Sequence, residues 1–179
     1  MQYLSLKSAT IEKISPRSIG KIHYRILTDE SHKKLYITFT GNDDGGHFSN
    51  EIVPFCNIEK CKEGTAVGAY VASKMFFSAF VSRSSNNCGF LAAILRAEEL
   101  LAPVVDGVRK HVLQSGWDVW QEQMLEEAGE PWDPPPPKGH VVVIAEPKSK
   151  TKGKKVVVDV PVVAEPIDDI VEVIDAENN

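Results

Sequence analysis

The distribution of aromatic residues constrains the fold of this chain more than any other feature of its sequence. All 14 aromatic residues lie at or before Trp132, and residues 133–179 contain none. The same C-terminal stretch holds a block of consecutive prolines from Pro134 to Pro137. Aliphatic clusters without aromatic residues bury too little surface to offset a chain entropy of about 1–2 kcal/mol per residue. The sequence therefore predicts a folded domain over 1–132 and a disordered tail over 133–179, with an extended polyproline spacer between them.

Composition and charge exclude several classes of protein. The formal net charge is -5, and 42% hydrophobic with 25% charged residues is typical of an average soluble protein. No apolar run reaches the roughly 20 residues of a membrane helix, and residues 1–7 lack the pattern of a secretory signal. We therefore expect a cytoplasmic protein that does not bind membranes. The odd number of cysteines predicts reduced thiols, and the absence of a phosphate-loop or dinucleotide fingerprint predicts no cofactor.

Alternating apolar and polar residues predict three strands in the N-terminal part. The stretches 21–26 and 35–40 each present one apolar face, and a short polar connector over 28–34 favours an antiparallel hairpin. Residues 3–14 form the predicted earlier strand, which ends at the Ser15-Pro16 turn. The result is an antiparallel β-meander.

Helical spacing dominates the second half of the folded part. It predicts helices over 54–61, from Asn86 or Asn87 to the residues before Pro103, over 104–114 and over 117–128. Residues 65–81 fit helix and strand equally well. We therefore expect an α+β fold, with an N-terminal antiparallel β-meander followed by three to four helices packed on one face, and a disordered C-terminal tail.

The loop before the helix that starts near Asn86 is a candidate anion site. It combines a cation, hydroxyl groups and the positive end of the helix dipole, although helix capping alone also explains the pattern. Its residues are Arg83, Ser84, Ser85 and Asn86. Cys88, in the first helical turn, is also a candidate nucleophile with a depressed pKa, with His23, His32, His47 or His111 as its base. No local signature supports this role, and we expect a small buried thiol instead.

Two further groups carry potential chemistry. His47, Cys56 and Cys61, with Asp43 or Asp44, offer metal-ligating atoms, but the Cys-x4-Cys spacing lacks the second pair of a structural zinc site, so we predict no metal. Asp43, Asp44 and Glu51 offer carboxylates for acid–base work, and a pair of acids flanked by glycine is also typical of a simple turn. No constellation is complete, so we predict no catalytic residue.

The β-meander also suggests single-stranded nucleic-acid binding. Aromatic residues beside basic ones on a sheet can stack bases and neutralise phosphates; here these are Lys21, Tyr24, Arg25, Lys33, Lys34 and Tyr36. The order of domain, linker and acidic end resembles bacterial single-stranded-DNA-binding proteins in layout only, because their tips end in an aromatic residue and this chain ends Ala176-Glu177-Asn178-Asn179. The mildly acidic balance of residues 1–132 argues against this function.

The acidic end of the tail carries an apolar stripe. Aliphatic residues recur there at a helical interval beside acids, and a short alternating strand is an equal alternative. Such a segment is either a solvated extension or a recognition motif that folds on a partner. The residues are Ile167, Asp168, Asp169, Ile170, Val171 and Ile174.

The sequence thus favours a small non-enzymatic interaction or regulatory protein that binds a macromolecular partner, with the acidic-aliphatic tail as a second contact. A protein is the favoured partner. Single-stranded nucleic-acid binding through the sheet face is the alternative, and an enzyme dependent on a cysteine or a carboxylate is a weaker one. The sequence does not specify the oligomeric state.

Overall fold

The fold consists of two antiparallel sheets interleaved with helices. The computed structural model describes residues 2–15, 18–43, 47–82, 84–104 and 107–135. All of them belong to one compact unit, Met1–Gly139. Residues 136–179 lie outside the described part, so the predicted boundary after residue 132 and the predicted disorder of the tail stay predictions.

The predicted β-meander is confirmed. Strands β1 (Tyr3–Glu12), β2 (Lys21–Asp29) and β3 (Leu35–Asn42) pair antiparallel in sequence order. Short strands β4 (Val53–Pro54) and β8 (Glu130–Trp132) extend the sheet at either edge, giving the order β4-β3-β2-β1-β8. The sequence did not predict β8, which pairs with the first residues of β1.

Helix α1 (Phe55–Lys62) matches the predicted short helix, and α3 (Trp117–Glu126) begins where the spacing placed it. Residues 65–81, which fitted both states, contain strand β5 (Tyr70–Ala72) followed by a 3-10 helix (Ser73–Ala79). Helix α2 (Ser85–Ala97) is the longest helix of the described residues. It ends before the predicted limit near Pro103.

The early end of α2 has a local cause. Glu99 adopts a left-handed backbone conformation with φ of 59°. The amide of Leu100 bonds to the Leu95 carbonyl at 2.8 Å, and the amide of Glu99 bonds to the Arg96 carbonyl at 3.1 Å. This is a Schellman termination. The sequence did not reveal it because glutamate stands where glycine is usual.

The predicted helix over 104–114 is wrong. Strands β6 (Leu101–Val104) and β7 (Gly107–Leu113) form an antiparallel hairpin there, in a second sheet of order β5-β7-β6. The valines of this stretch are β-branched and favour strands. Pro103 lacks an amide proton and is tolerated because β6 is an edge strand. Strands and helices therefore alternate, and the helices do not simply follow a meander.

One hydrophobic core joins the elements. On β2, Ile22, Tyr24 and Ile26 are fully buried and face the core at every second position. Leu91 and Leu95 of α2 belong to the same core. The rings of Phe55, Trp117 and Trp120 pack together at centroid separations of 5.7 and 5.0 Å and join α3 to α1.

Candidate functional site

A cavity of about 420 Å³ opens beside the first turn of α2. Three segments line it: the residues after β1, the 3-10 helix and the start of α2. Its lining consists of Lys13, Ile14, Ser15, Ser18, Ser73, Lys74, Phe77, Asn86, Cys88, Gly89 and Phe90. We call it the α2 cavity.

Lysines are the charged side chains in the described lining of the α2 cavity. Two lysines line it, and no carboxylate belongs to its described lining. The Lys13 ammonium lies 3.4 Å from the Ile19 carbonyl and 5.8 Å from the ring centroid of Phe90. Lys74 is exposed and acts electrostatically on the Cys88 thiol. Lys74 therefore favours an anion in this cavity, whereas the charge of Lys13 also acts on the Asp43 carboxylate.

The predicted anion-binding residues are arranged differently from the expectation. Arg83 and the side chain of Ser85 lie outside the described residues. The Ser84 hydroxyl and the Asn86 amide both donate to the carbonyl of His47, at 3.3 and 3.0 Å. These donors hold the segment before β4 against α2. Of the two residues of the predicted set whose side chains the structure describes, Asn86 lines the α2 cavity and Ser84 does not.

Cys88 does not have the depressed pKa expected of a nucleophile. Its residue is 5% exposed, and burial raises the pKa of the thiol. The hypothesis of a lowered pKa at the helix start is wrong because desolvation outweighs the opposing effects of the backbone and Lys74. The expectation of a small buried thiol is confirmed.

A buried histidine contacts a serine of the cavity wall. The Arg96 Nε donates to His111 Nδ1 at 2.8 Å, and His111 Nε2 lies 2.7 Å from the Ser73 Oγ. Burial and the Arg96 charge lower the pKa of His111 to about 4, so the ring is neutral near pH 7. A guanidinium only donates, so Nδ1 accepts and the ring proton sits on Nε2. Ser73 therefore accepts from the ring and cannot pass its proton to it.

In a second hydroxyl–histidine pair, the hydrogen bonds run in the opposite direction, from the hydroxyl to the histidine ring. His23 Nε2 lies 2.8 Å from Asp43 Oδ1, and His23 Nδ1 lies 3.0 Å from the Thr10 hydroxyl. The hydrogen bond from His23 lowers the pKa of Asp43, whose carboxylate accepts. In a neutral ring Nδ1 is then free to accept from Thr10. Gly41 makes room for the imidazole, since a Cβ there would lie 2.8 Å from His23 Cδ2. This group is exposed and does not line the α2 cavity.

The carboxylate of Glu51, the third candidate acid, stabilises a loop. Glu51 accepts from the amides of Val81 and Ser82, at 2.7 and 2.8 Å, and from the Ser49 hydroxyl at 2.7 Å. It fixes the loop that leads into α2. Asp44 lies outside the described residues.

The candidate metal ligands that the structure describes do not form a metal-binding group. Cys56 is exposed, and the Cys61 thiol lies 3.2 Å from the Asn57 carbonyl and 3.3 Å from the Ser78 hydroxyl. Within the described ranges there is no group of three or more His, Cys, Asp or Glu residues that could hold a metal.

The proposed base-stacking residues are buried. Tyr24 is 1% exposed and Tyr36 is 7% exposed, so neither ring offers a face to a nucleotide. Arg25 donates to the Ser5 hydroxyl at 2.8 Å and lies over the Trp132 ring. Lys21, Lys33 and Lys34 are exposed. The prediction that the two tyrosines stack bases on the sheet surface is therefore wrong, because both rings pack within the domain.

Tyr24 instead belongs to a buried polar cluster that the sequence did not reveal. Its hydroxyl donates to Glu98, which also accepts from Trp120 Nε1 at 3.2 Å. The Lys7 ammonium lies 2.9 Å from both oxygens of the same carboxylate. Burial, followed by the hydrogen bond with Glu98, raises the pKa of Tyr24. The cluster connects β1, β2, α3 and the end of α2.

Sequence reasoning missed Lys13, Lys74 and Phe77 as residues of one site. They lie on segments about 60 positions apart, and no local motif links them. The tail residues Ile167, Asp168, Asp169, Ile170, Val171 and Ile174 lie outside the described part of the chain. Among the helices that the structure describes, none is long and apolar enough to cross a membrane.

Comparison with known proteins gives no family assignment. No protein-family model, no curated protein and no solved structure matches this chain.

Proposed function

We propose that this chain is a non-enzymatic binding protein that acts by occupancy, and that its α2 cavity receives an anionic group. The observation that carries the proposal is the exposed Lys74 in a cavity whose described lining includes no carboxylate. A cavity of about 420 Å³ falls in the range of about 300–1,000 Å³ that is typical of ligand sites. Cations in a concave, partly apolar site attract and orient an anion.

The wall of the cavity lacks an activated nucleophile in the described residues. The raised pKa of Cys88 keeps its thiol protonated near neutral pH. Ser73 faces a histidine nitrogen that already carries a proton, so that histidine cannot act as its base. Both arrangements support binding without chemistry.

Exposed apolar side chains support a macromolecular partner. Phe77 lines the cavity and is 41% exposed, and Ile19, which follows the lining residue Ser18, is 84% exposed. Apolar side chains that border a polar site are typical of an interaction surface. We propose that a protein partner covers them and that the acidic-aliphatic tail makes a second contact.

Charge reversal tests this function. We expect Lys74→Glu in the full-length chain to remove a partner that the wild-type protein captures from an extract of its source cells. Lys34→Glu is the matched control, because Lys34 is equally a lysine on the surface but lies in the β2–β3 turn. Mass spectrometry identifies the partners. Equal loss of the partner in both variants would show that net charge, and not the cavity, governs binding.

A separate variant tests the tail. Deletion of residues 160–179 is expected to leave the melting temperature unchanged and to weaken capture of the same partner. A lower melting temperature would instead show that the tail stabilises the fold.

Hydrolysis is the second candidate function, and the Thr10–His23–Asp43 group is the observation that favours it. Its hydrogen bonds run in the direction that activates a hydroxyl nucleophile. The proposal of binding without chemistry expects no labelling of Thr10 by a fluorophosphonate probe, as read by peptide mass spectrometry. Labelling in the wild type that His23→Gln abolishes would establish the enzyme instead.

A further inference from the structure

We propose that the α2 cavity binds the C-terminal carboxylate of a protein partner, with the apolar side chain of the partner's last residue against the phenylalanines of the cavity wall. The inference rests on the proposed function and specifies the anion that the cavity takes. Four features of the described residues support it: an exposed cation, a buried hydroxyl donor, an apolar wall and an edge strand beside the cavity.

The charge that one exposed lysine supplies matches the single charge of a carboxylate. Lys74 lines the cavity, and its charge acts on the Cys88 thiol of the same lining. Lys13 also lines the cavity, but its charge acts on the Asp43 carboxylate, which is not part of the lining. We therefore pair the anion with Lys74. A phosphate monoester carries about -1.5 to -2 near pH 7, so part of its charge would stay unbalanced in this partly apolar site.

The hydroxyl group of Ser73 supplies a donor for a carboxylate oxygen. Ser73 lines the cavity and is 8% exposed. Because Arg96 donates to Nδ1 of His111, the ring proton lies on Nε2, so the Ser73 oxygen accepts from the ring and its own O–H is left to donate. No acceptor in the described residues receives this O–H. A buried donor without an acceptor is costly, and a carboxylate oxygen would satisfy it.

The lining also favours an apolar group attached to the carboxylate. Ile14, Phe77 and Phe90 line the cavity, and Phe77 is 41% exposed. An ion of the size of acetate would leave most of the roughly 420 Å³ unfilled. In a polypeptide, an apolar side chain and a carboxylate belong to the same residue only at the C-terminus. A free amino acid also carries an ammonium group, which the charge of Lys74 disfavours.

An edge strand beside the cavity fits the chain that precedes such a terminus. Strand β5 ends at Ala72, directly before Ser73 and Lys74. Among the described strands it is an edge of the sheet of order β5-β7-β6, and its Tyr70 is 74% exposed. An exposed edge accepts an extended peptide through main-chain hydrogen bonds. A peptide therefore has contacts available here that a small carboxylic acid lacks.

Calorimetric titration of the full-length protein with synthetic peptides tests the assignment. The peptides are acetyl-Gly-Ser-Gly-Ser-Ala-Xaa with a free C-terminal carboxylate, and the last residue is Leu, Val, Phe or Asp. We expect at least one peptide with an apolar last residue to bind with a stoichiometry of one. Its C-terminal amide should bind about tenfold more weakly or less, because charge-assisted contacts are lost. The peptide that ends in Asp should also bind more weakly, because it places a charge against an apolar wall.

Two small ligands separate a chain terminus from other anions. The N-acetylated form of the best last residue has the carboxylate and the apolar side chain but none of the preceding chain. It should bind about tenfold more weakly than the peptide, because it forms no main-chain hydrogen bonds with an edge strand. Inorganic phosphate has no apolar group and should also bind more weakly than the peptide.

Variants place the binding in the cavity. Lys74→Ala should weaken binding of the carboxylate peptide by about tenfold, the order expected when a cation beside an anion is removed at a partly exposed site, and should leave the amide peptide unaffected. Lys34→Ala, the matched control, should bind as the wild type does. Phe77→Ala should weaken the peptide with the apolar last residue more than the peptide that ends in Asp. Both Lys74 and Phe77 are exposed, so circular dichroism should show unchanged folding.

The outcomes separate this inference from the proposed function. If the small acid or inorganic phosphate binds as tightly as every peptide and Lys74→Ala weakens that binding, the chain terminus is overturned and an anion site remains. Equal affinity for the carboxylate peptide and its amide would likewise overturn the inference. Binding of none of these ligands, or binding that Lys74→Ala leaves unchanged, would overturn both the inference and the proposed anion site.

Discussion

Glu98→Gln is expected to lower the free energy of unfolding by about 2–3 kcal/mol. Glu98 is buried at the end of α2 and accepts from the Tyr24 hydroxyl, the Trp120 indole and the Lys7 ammonium. It therefore joins four elements of the fold through one carboxylate. The substitution keeps the shape of the side chain and changes only its charge and its hydrogen-bonding capacity.

The magnitude follows from what each donor loses. A glutamine amide has one acceptor oxygen, so either Tyr24 or Trp120 faces an N–H group and loses its acceptor. A buried donor left unpaired costs about 1–3 kcal/mol, and the remaining hydrogen bond loses the strengthening that the charge gave it. The Lys7 side chain is 40% exposed, so water replaces the carboxylate and its ion pair adds little.

Urea denaturation followed by tryptophan fluorescence measures the effect. The expected change corresponds to a melting temperature lower by roughly 6–12 °C for a domain of this size. Glu122→Gln is the control, since Glu122 is exposed on α3 and its replacement should alter stability by less than about 0.5 kcal/mol.

A double-mutant cycle isolates the hydrogen bond itself. Tyr24→Phe removes the hydroxyl that Glu98 accepts from. The double variant Tyr24→Phe/Glu98→Gln should be more stable than the sum of the single losses predicts, by about 1–2 kcal/mol. If Glu98→Gln differs from Glu122→Gln by less than about 0.5 kcal/mol, the cluster does not stabilise the fold and the reasoning is refuted.

Three further predictions concern other features of the domain. The contribution of His111 to the free energy of unfolding should be complete above pH 6.5 and fall as the pH drops toward about 4, because the unfolded chain binds a proton that the folded chain does not bind at His111. Denaturant unfolding at several pH values should show this decrease, and His111→Gln should reduce it. Glu99→Gly should raise the free energy of unfolding by about 1 kcal/mol, and Gly116→Ala should lower it by about as much, because both positions have left-handed backbones; opposite or zero changes in urea melts would contradict this. Ellman's reagent should modify the exposed Cys56 quickly and the buried Cys88 only on unfolding; rapid modification of both thiols in the folded protein would show that Cys88 is accessible.

Local patterns were sufficient for part of the fold. The alternation in β2 and β3 predicted their hairpin, because a strand buried on one face repeats every two residues. The stretch over 104–114 was mistaken for a helix because its valines also recur at helical intervals. Only pairing with β5 and β6 distinguishes the two, since β-branched residues gain more from cross-strand packing than from a helix.

The sequence likewise predicted only part of the candidate site. The sequence pointed to an anion near the start of α2, and Asn86 does line the cavity there. It did not reveal the lysines that give the cavity its charge, and it assigned Tyr24 to a surface although the residue is buried.

Two kinds of information therefore specify this protein. Periodicity and composition along the chain determined which segments form the first sheet and most of the helices, because those properties depend on neighbours a few residues apart. The tertiary structure decided which side chains share a cavity, which nitrogen of His111 carries the proton and where Glu98 finds its donors. These depend on contacts between residues tens of positions apart, and no local pattern encodes such distances.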